Sequence, residues 1–277
     1  MSLSHKNLFL VPFEDIIWKI RLDEKEKILI LELRNPEKHK VDFTAVDLLS
    51  KKMLWKDIRA DESWWLGVES ARNGVTLLHG YKDPELPDHK GIAAVNSRTG
   101  KLIWKNDQLS FNGYAGSDII ASENNHASDV ENYFLLEENS GKVKEKLSAS
   151  DFLKKLSGVF REKQKSEIVN GLHFSEEHEY FKKIEAFVAG LKNHQAKSAA
   201  DYLEYGKFVI ISYYIYENNK LSNFLLVTNE EAEEIFFGKI AEDLPGAGMD
   251  TFFLFGDQLI FIKDKTILVI IDLKKVN

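Results

Sequence analysis

The segment FTAVDLLSKKMLWKD (43–57) lies over IAAVNSRTGKLIWKN (92–106) at a displacement of 49 residues, superposing Ala45 on Ala94, Val46 on Val95, Lys52 on Lys101, Trp55 on Trp104 and Lys56 on Lys105. A fixed period of this length is the signature of a chain built from stacked copies of one supersecondary unit. Upstream, EDIIWKIRLDEKEKILILELR resembles ESWWLGVESARNGVTLLHGYK, with Trp18 falling near Trp65, so the repeat spans a whole unit. Each unit reads as four short runs of apolar, β-branched or aromatic residues separated by turn residues, which is the period of strands and not of helices.

Weaker copies follow. ENYFLLEENSGKVKEKL (131–147) keeps Gly141 and Lys142 but has Glu145 in the Trp position, and SNFLLVTNEEAEEIFFGK (222–239) has Phe236 there. The last unit, 250–275, supplies three strands, and NLFLVPF (7–13) is the natural fourth, since a propeller hides its open edges by pairing the two chain ends in one blade. The expected fold is therefore an all-β, five-bladed propeller forming one domain over residues 1–277. Its blades are 14–57, 62–106, 108–147, 200–239, and 250–275 with 7–13. A helical insertion at about 148–197 separates the third and fourth. Its first helix follows Ser148 and Asp151 and aligns Phe152, Leu153, Leu156, Val159 and Phe160. The second starts from Ser175 and ends at Gly190, with a stripe of Tyr180, Phe181, Ile184, Phe187, Val188 and Leu191.

The pattern Ala-x-Asp/Asn-x-x-x-Gly-Lys-x-x-Trp, seen at Ala94 to Trp104 through Gly100 and more loosely at Ala45 to Trp55 with Lys51 in the Gly position, resembles the tryptophan-docking repeat of quinoprotein-type (PQQ-like) β-propellers. The resemblance implies that each Trp packs between neighbouring blades and that the Gly allows the tight turn before the outer strand. It does not bring the quinone with it: such enzymes commonly have eight blades, bound calcium and often a vicinal disulfide, and this chain is short and has no cysteine. No PQQ or other cofactor is expected. The whole chain also resembles a bacterial domain family of unknown function.

The remaining classes follow from charge and motif. Lys plus Arg is 37 against 44 for Asp plus Glu, with no basic block of the kind nucleic acid requires, so nucleic acid is not an expected partner. Pro12, Glu14 and Asp15 break the first apolar run and no later run reaches membrane-spanning length, so a cytoplasmic chain with no membrane partner is expected. No nucleophile elbow, P-loop or dinucleotide fingerprint occurs.

Function then falls to the loops of one face: 35–40, 82–90, 123–130, 217–221, 241–249 and the insertion. Trp65, His89 and His126 are candidate binding residues there. His89 and His126 lie beside Asp88 and Asp129, but without metal-ligand spacing, and no metal site is expected. Four acids, Asp15, Glu62, Asp201 and Asp250, each precede an inner strand and would ring the mouth of a central channel. The expected function is a binding or interaction module for a protein or small molecule. The alternative is a carbohydrate-active hydrolase of five-bladed type using two of those carboxylates.

Overall fold

The computed structural model describes residues 7–56, 64–81, 88–125, 130–161 and 166–276, which form an all-β chain with two α-helices. Two compact units divide it, one of residues 15–166 and one of residues 1–14 with 167–277.

The unit 15–166 follows the opening strand Leu8–Pro12 (β1) and holds three antiparallel four-stranded meanders. The first is Ile16–Asp23 (β2), Ile28–Asn35 (β3), Lys40–Asp47 (β4) and Lys52–Lys56 (β5). The second is Leu66–Arg72 (β6), Val75–Tyr81 (β7), His89–Asn96 (β8) and Leu102–Asn106 (β9), and the third is Ser110–Ala115 (β10), Asp118–Asn125 (β11), Val130–Glu137 (β12) and Val143–Leu147 (β13). Middle strands are buried on both faces, so β3 opens with the unbroken apolar run Ile28 to Leu31 and is buried through Arg34, whereas the outer β5 stays exposed or half-buried along its length. Apolar side chains of adjacent sheets interlock: Ile28, Ile30, Phe43 and Ala45 of the first pack with Val68, Leu78 and Val95 of the second.

The indoles lock this stacking. Trp55, at the end of the first sheet, donates its Nε1–H to the Ser97 carbonyl in the last hairpin turn of the second, at 2.9 Å. Trp104 does the same to the Glu138 carbonyl of the third, at 2.8 Å. Both side chains are half-buried. Each ring lies on a glycine of left-handed backbone. A Cβ at Gly100 would meet Trp55 Cδ2 at 2.9 Å, and one at Gly141 would meet Trp104 Cδ2 at 2.6 Å. Glu145, in the corresponding position of the third sheet, is exposed.

The helix Ala149–Arg161 (α1) follows that third sheet. Ser148 caps it, its hydroxyl accepting from the Asp151 N–H, and Phe152 stacks on Tyr133 at 4.0 Å between centroids. Leu153 does not share this face, being exposed, while Val159 and Phe160 lie outside the described side chains.

In the second unit the insertion is not simply helical. Ile168–Asn170 (β14) and Leu172–Ser175 (β15) flank Gly171 and pair with two different sheets. The helix Glu179–Lys192 (α2) begins four residues later than Ser175 would place it, capped by the His178 side chain, and runs past Gly190 to Asn193 in the left-handed conformation. Phe181, Ile184 and Val188 are its buried face, whereas Tyr180 and Leu191 are exposed. Strand β15 joins Lys197–Tyr205 (β16), Phe208–Glu217 (β17), Lys220–Asn229 (β18) and Glu234–Leu244 (β19) in one five-stranded sheet. Residues 217–221, expected as a long loop, are a two-residue turn on Asn218 and Asn219, both left-handed as such a turn requires. The other sheet has the order β1, Ile267–Asp272 (β22), Gln258–Lys263 (β21), Phe252–Phe255 (β20), β14, with Leu8 to Pro12 antiparallel to Ile271 to Ile267. Phe236 packs against Phe261 of that neighbouring sheet at 5.7 Å.

The docking contact makes a specific energetic prediction. Trp104→Ala should cost about 2 kcal/mol, roughly half the usual loss for a fully buried large aromatic. Gly141→Ala should cost more in the wild type than in the Trp104→Ala background, because the ring clash disappears with the ring and only the backbone strain remains. A double-mutant cycle by urea denaturation checks this, and additive costs would refute the contact.

Candidate functional site

Three antiparallel pairs open the three sheets of the 15–166 unit, and each carries one bulged residue, at the same place in the second and third and two pairs further along in the first. Trp18 is extra between Ile17 and Lys19, Glu69 between Val68 and Ser70, and Asn112 between Phe111 and Gly113. A bulge turns its side chain out of the regular alternation, which re-aims Trp18 and Glu69. Facing them across the pairs are Arg34, opposite Ile16, and His79, opposite Gly67. A second irregularity, between β7 and β8, occurs at His79.

The result is a cluster of Glu69, His79 and His89 whose ligand-type atoms all lie within 4.8 Å of one another. His89 Nδ1 is 2.7 Å from Glu69 Oε2, and His79 Nε2 is 3.9 Å from the same oxygen. The two imidazoles stack at 3.4 Å with 15° between planes, and Tyr81 presents its ring edgewise to both. His79 is 3% exposed; its Nδ1 lies 3.2 Å from the Gly80 carbonyl, which can only accept, so Nδ1 carries the proton and Nε2 the lone pair. Burial, and then the neighbouring His89 charge, push the His79 pKa down to about 4. Gly67 is required opposite it: a Cβ there would stand 2.5 Å from His79 Nε2.

Glu32 and Arg34 brace the cluster. Glu32 accepts from Arg34 Nε at 2.7 Å and from the Val68 N–H at 2.8 Å, while the Arg34 guanidinium also donates to the carbonyls of Trp64 and Leu66. Lys19, near Glu32 and Glu69, has its pKa lowered by burial and by the Arg21 charge. Arg34 in turn is lined by indoles, 5.8 Å from the Trp18 ring and 5.2 Å from that of Trp64. Trp64 meets Trp65 edge-to-face at 6.5 Å, and Trp65 meets Tyr81 likewise at 6.1 Å. Trp18 is 65% exposed and Trp65 37%.

Of the residues singled out from sequence, Trp65 and His89 thus fall in one neighbourhood. Glu62 and His126, with Asp129, lie outside the described residues. Asp15 precedes β2 and accepts from Asn35 Nδ2 at 2.6 Å. Asp201 does not begin its strand: it is buried in the middle of β16, bound by His173 Nδ1 at 2.7 Å and by the Thr251 N–H and hydroxyl. Asp250 is exposed with positive φ. Sequence reasoning missed Glu69, His79 and Arg34; the only local signal for them is Gly67 and Gly80 within otherwise regular strand patterns.

Residues 22–104 match the family DUF4905, a domain of unknown function, and the matched stretch carries Arg34, Glu69, His79 and His89. Among curated proteins no sequence match is found. Among solved structures, the chain is similar to the β-propeller domain of the Trilobed protease from Pyrococcus furiosus, at 12% identity over 88% of this chain and 76% of that one, with a TM-score of 0.33. It is similar also to a member of the DUF4221 family from Bacteroides vulgatus, at 13% identity over 96% of this chain and 95% of that one, with a TM-score of 0.33. The expected resemblance to a domain family of unknown function is thus found, over residues 22–104. No described helix is long and apolar enough to cross a membrane.

The depressed His79 pKa fixes a pH dependence. Unfolded, His79 binds a proton near its ordinary value of 6.5; folded, it does so only at about 4. Between those values the unfolded state holds more protons, so its contribution is full above 6.5 and lost as the pH falls toward 4. Thermal midpoints should fall through that window, and His79→Gln should flatten the decline; an unchanged slope would contradict the burial argument.

Proposed function

We propose that the chain is a five-bladed β-propeller, closed by the pairing of its N-terminal strand with the last blade, that acts as a saccharide-binding module. Five successive antiparallel sheets, the β1–β22 pair and the two docked indoles support the propeller reading. The binding reading rests on one observation: Trp18 and Trp64 flank an arginine each of whose three nitrogens donates a hydrogen bond within the fold, Trp65 meets Trp64 edge-to-face, and Trp18 and Trp65 are left open to solvent. Rigid indoles offer flat apolar faces at little entropic cost, and the C–H face of a pyranose is the polar-rimmed partner that suits such faces. Arg34 is held in place by Glu32 and two carbonyls, so it stiffens the platform instead of reaching out.

The hydrolase alternative draws no such support. Asp15 is held by Asn35, and both oxygens of Asp201 are taken by His173 and Thr251, which is the pattern of carboxylates that fasten loops.

Titrating the protein with a panel of neutral oligosaccharides should change its tryptophan fluorescence saturably for at least one of them. Trp18→Ala should weaken that binding by about tenfold, in the range of a lost aromatic contact, while leaving the thermal midpoint nearly unchanged because the ring is exposed. A flat response across the panel, or binding indifferent to Trp18→Ala, would reject the reading.

A further inference from the structure

Beside the indole platform, and independent of it, we propose that Glu69 Oε2, His79 Nε2 and His89 Nδ1 bind a divalent transition-metal ion of the zinc class. Two imidazoles and one carboxylate form a borderline donor set that favours such ions over calcium or magnesium, which prefer all-oxygen shells. The three atoms come from three adjacent strands of one sheet and lie within 4.8 Å of one another.

Three further features point to a ligand and not merely to a polar contact. The Gly80 carbonyl holds the proton of His79 on Nδ1, which leaves Nε2 as a lone-pair donor. That is the outer hydrogen bond a metal-binding histidine ordinarily has. Gly67 admits the His79 ring at this place, since a Cβ there would stand 2.5 Å from Nε2 and 2.8 Å from Cε1. Finally, Glu69 and His79 both sit at strand irregularities, so neither side chain follows from the plain alternation of its strand. The nearby Glu32 is not a competing ligand, since it is already bound by Arg34 and by the Val68 N–H.

Binding also demands a definite movement. Tetrahedral zinc with bonds of about 2.0–2.1 Å needs its ligand atoms about 3.3 Å apart. The 2.7 Å contact between His89 and Glu69 must therefore open and the 3.9 Å contact between His79 and Glu69 must close. The metal must lie in both imidazole planes, which two stacked rings do not share, so one ring has to tilt. His89, with its side chain 33% exposed, is the ring with room to do so. The proton shared between His89 Nδ1 and Glu69 leaves as the ion enters. Three protein ligands leave a fourth position for water or a further ligand.

Chelator-treated full-length protein should bind Zn²⁺ at a single saturable site in isothermal titration calorimetry at neutral pH. His89→Gln and Glu69→Gln should each weaken binding by at least about tenfold, as loss of a ligand does. Co²⁺ gives a second readout: the wild type should develop the intense visible absorption of a four-coordinate site, and His89→Gln should lose it. Since His89 is partly exposed, this variant should melt close to the wild type, which keeps the test valid if Glu69→Gln fails to fold. No saturable Zn²⁺ binding, or binding and Co²⁺ absorption that survive in His89→Gln, would overturn the proposal.

Discussion

The hydrogen bond from an indole to the carbonyl of the next sheet's last turn organises the 15–166 unit. It joins strands that share no ladder, and it has a steric condition, because Trp55 and Trp104 can reach Ser97 and Glu138 only if positions 100 and 141 lack a Cβ. Side-chain networks reinforce the same junctions. Asp23, fully buried, accepts from the Gly74 N–H and from Ser97, while Glu138 binds Arg72, whose guanidinium lies 3.2 Å from the centroid of Tyr114. Burial raises the Asp23 pKa against the pull of these donors. The tight-turn ends of the sheets are thus fastened, and the opposite ends of the inner strands are set in register with one another.

That register is what assembles the candidate site, and it explains why the site was hard to read in sequence. Matching by residue identity puts Trp18 over Trp65, but strand pairing followed from Ala45 and Ala94 puts Arg21 over Ser70 and Lys19 over Gly67, so the bulges at Trp18 and Glu69 stand two pairs apart. The same pairing puts Glu32 over His79. A bulge inserts one residue and a hairpin of different length inserts others, so identity alignment slips where the chemistry lies while holding at Trp55 and Trp104, whose partners Ala45 and Ala94 are preserved. His89 was visible as a loop histidine. Its partners were ten and twenty residues upstream on two other strands, a distance no metal-ligand spacing describes.

The strands of the three sheets of the 15–166 unit were legible because apolar runs bounded by turn residues are a strong local signal. Less was legible in the second unit. Strands β14 and β15 together contribute only seven residues around Gly171, too few to show a period, and they lie between two helical patterns that dominate their surroundings. Gly171 is pressed against Phe252 and Asp201, so its role is close approach between chain segments, a constraint invisible without the fold. Asp201 was misplaced at a strand start for a related reason: β16 begins at Lys197, and an irregularity near Ser198 and Ala199 hides its first residues from an alternation reading.

The platform and the histidine cluster are joined by a ring-to-ring chain. Trp65 touches Tyr81 edgewise, and Tyr81 touches both His79 and His89. An ion that tilted His89 out of its stack would alter the surface against which Tyr81 rests, and Tyr81 in turn touches Trp65. Any effect of a bound ion on ligand affinity at the platform must then be matched by an equal effect of the ligand on ion affinity, since coupling between two binding equilibria is reciprocal. The bulges at Glu69 and Trp18, two pairs apart along their inner strands, are thus separate departures from the pleat, one beside the histidine cluster and the other at the exposed indole.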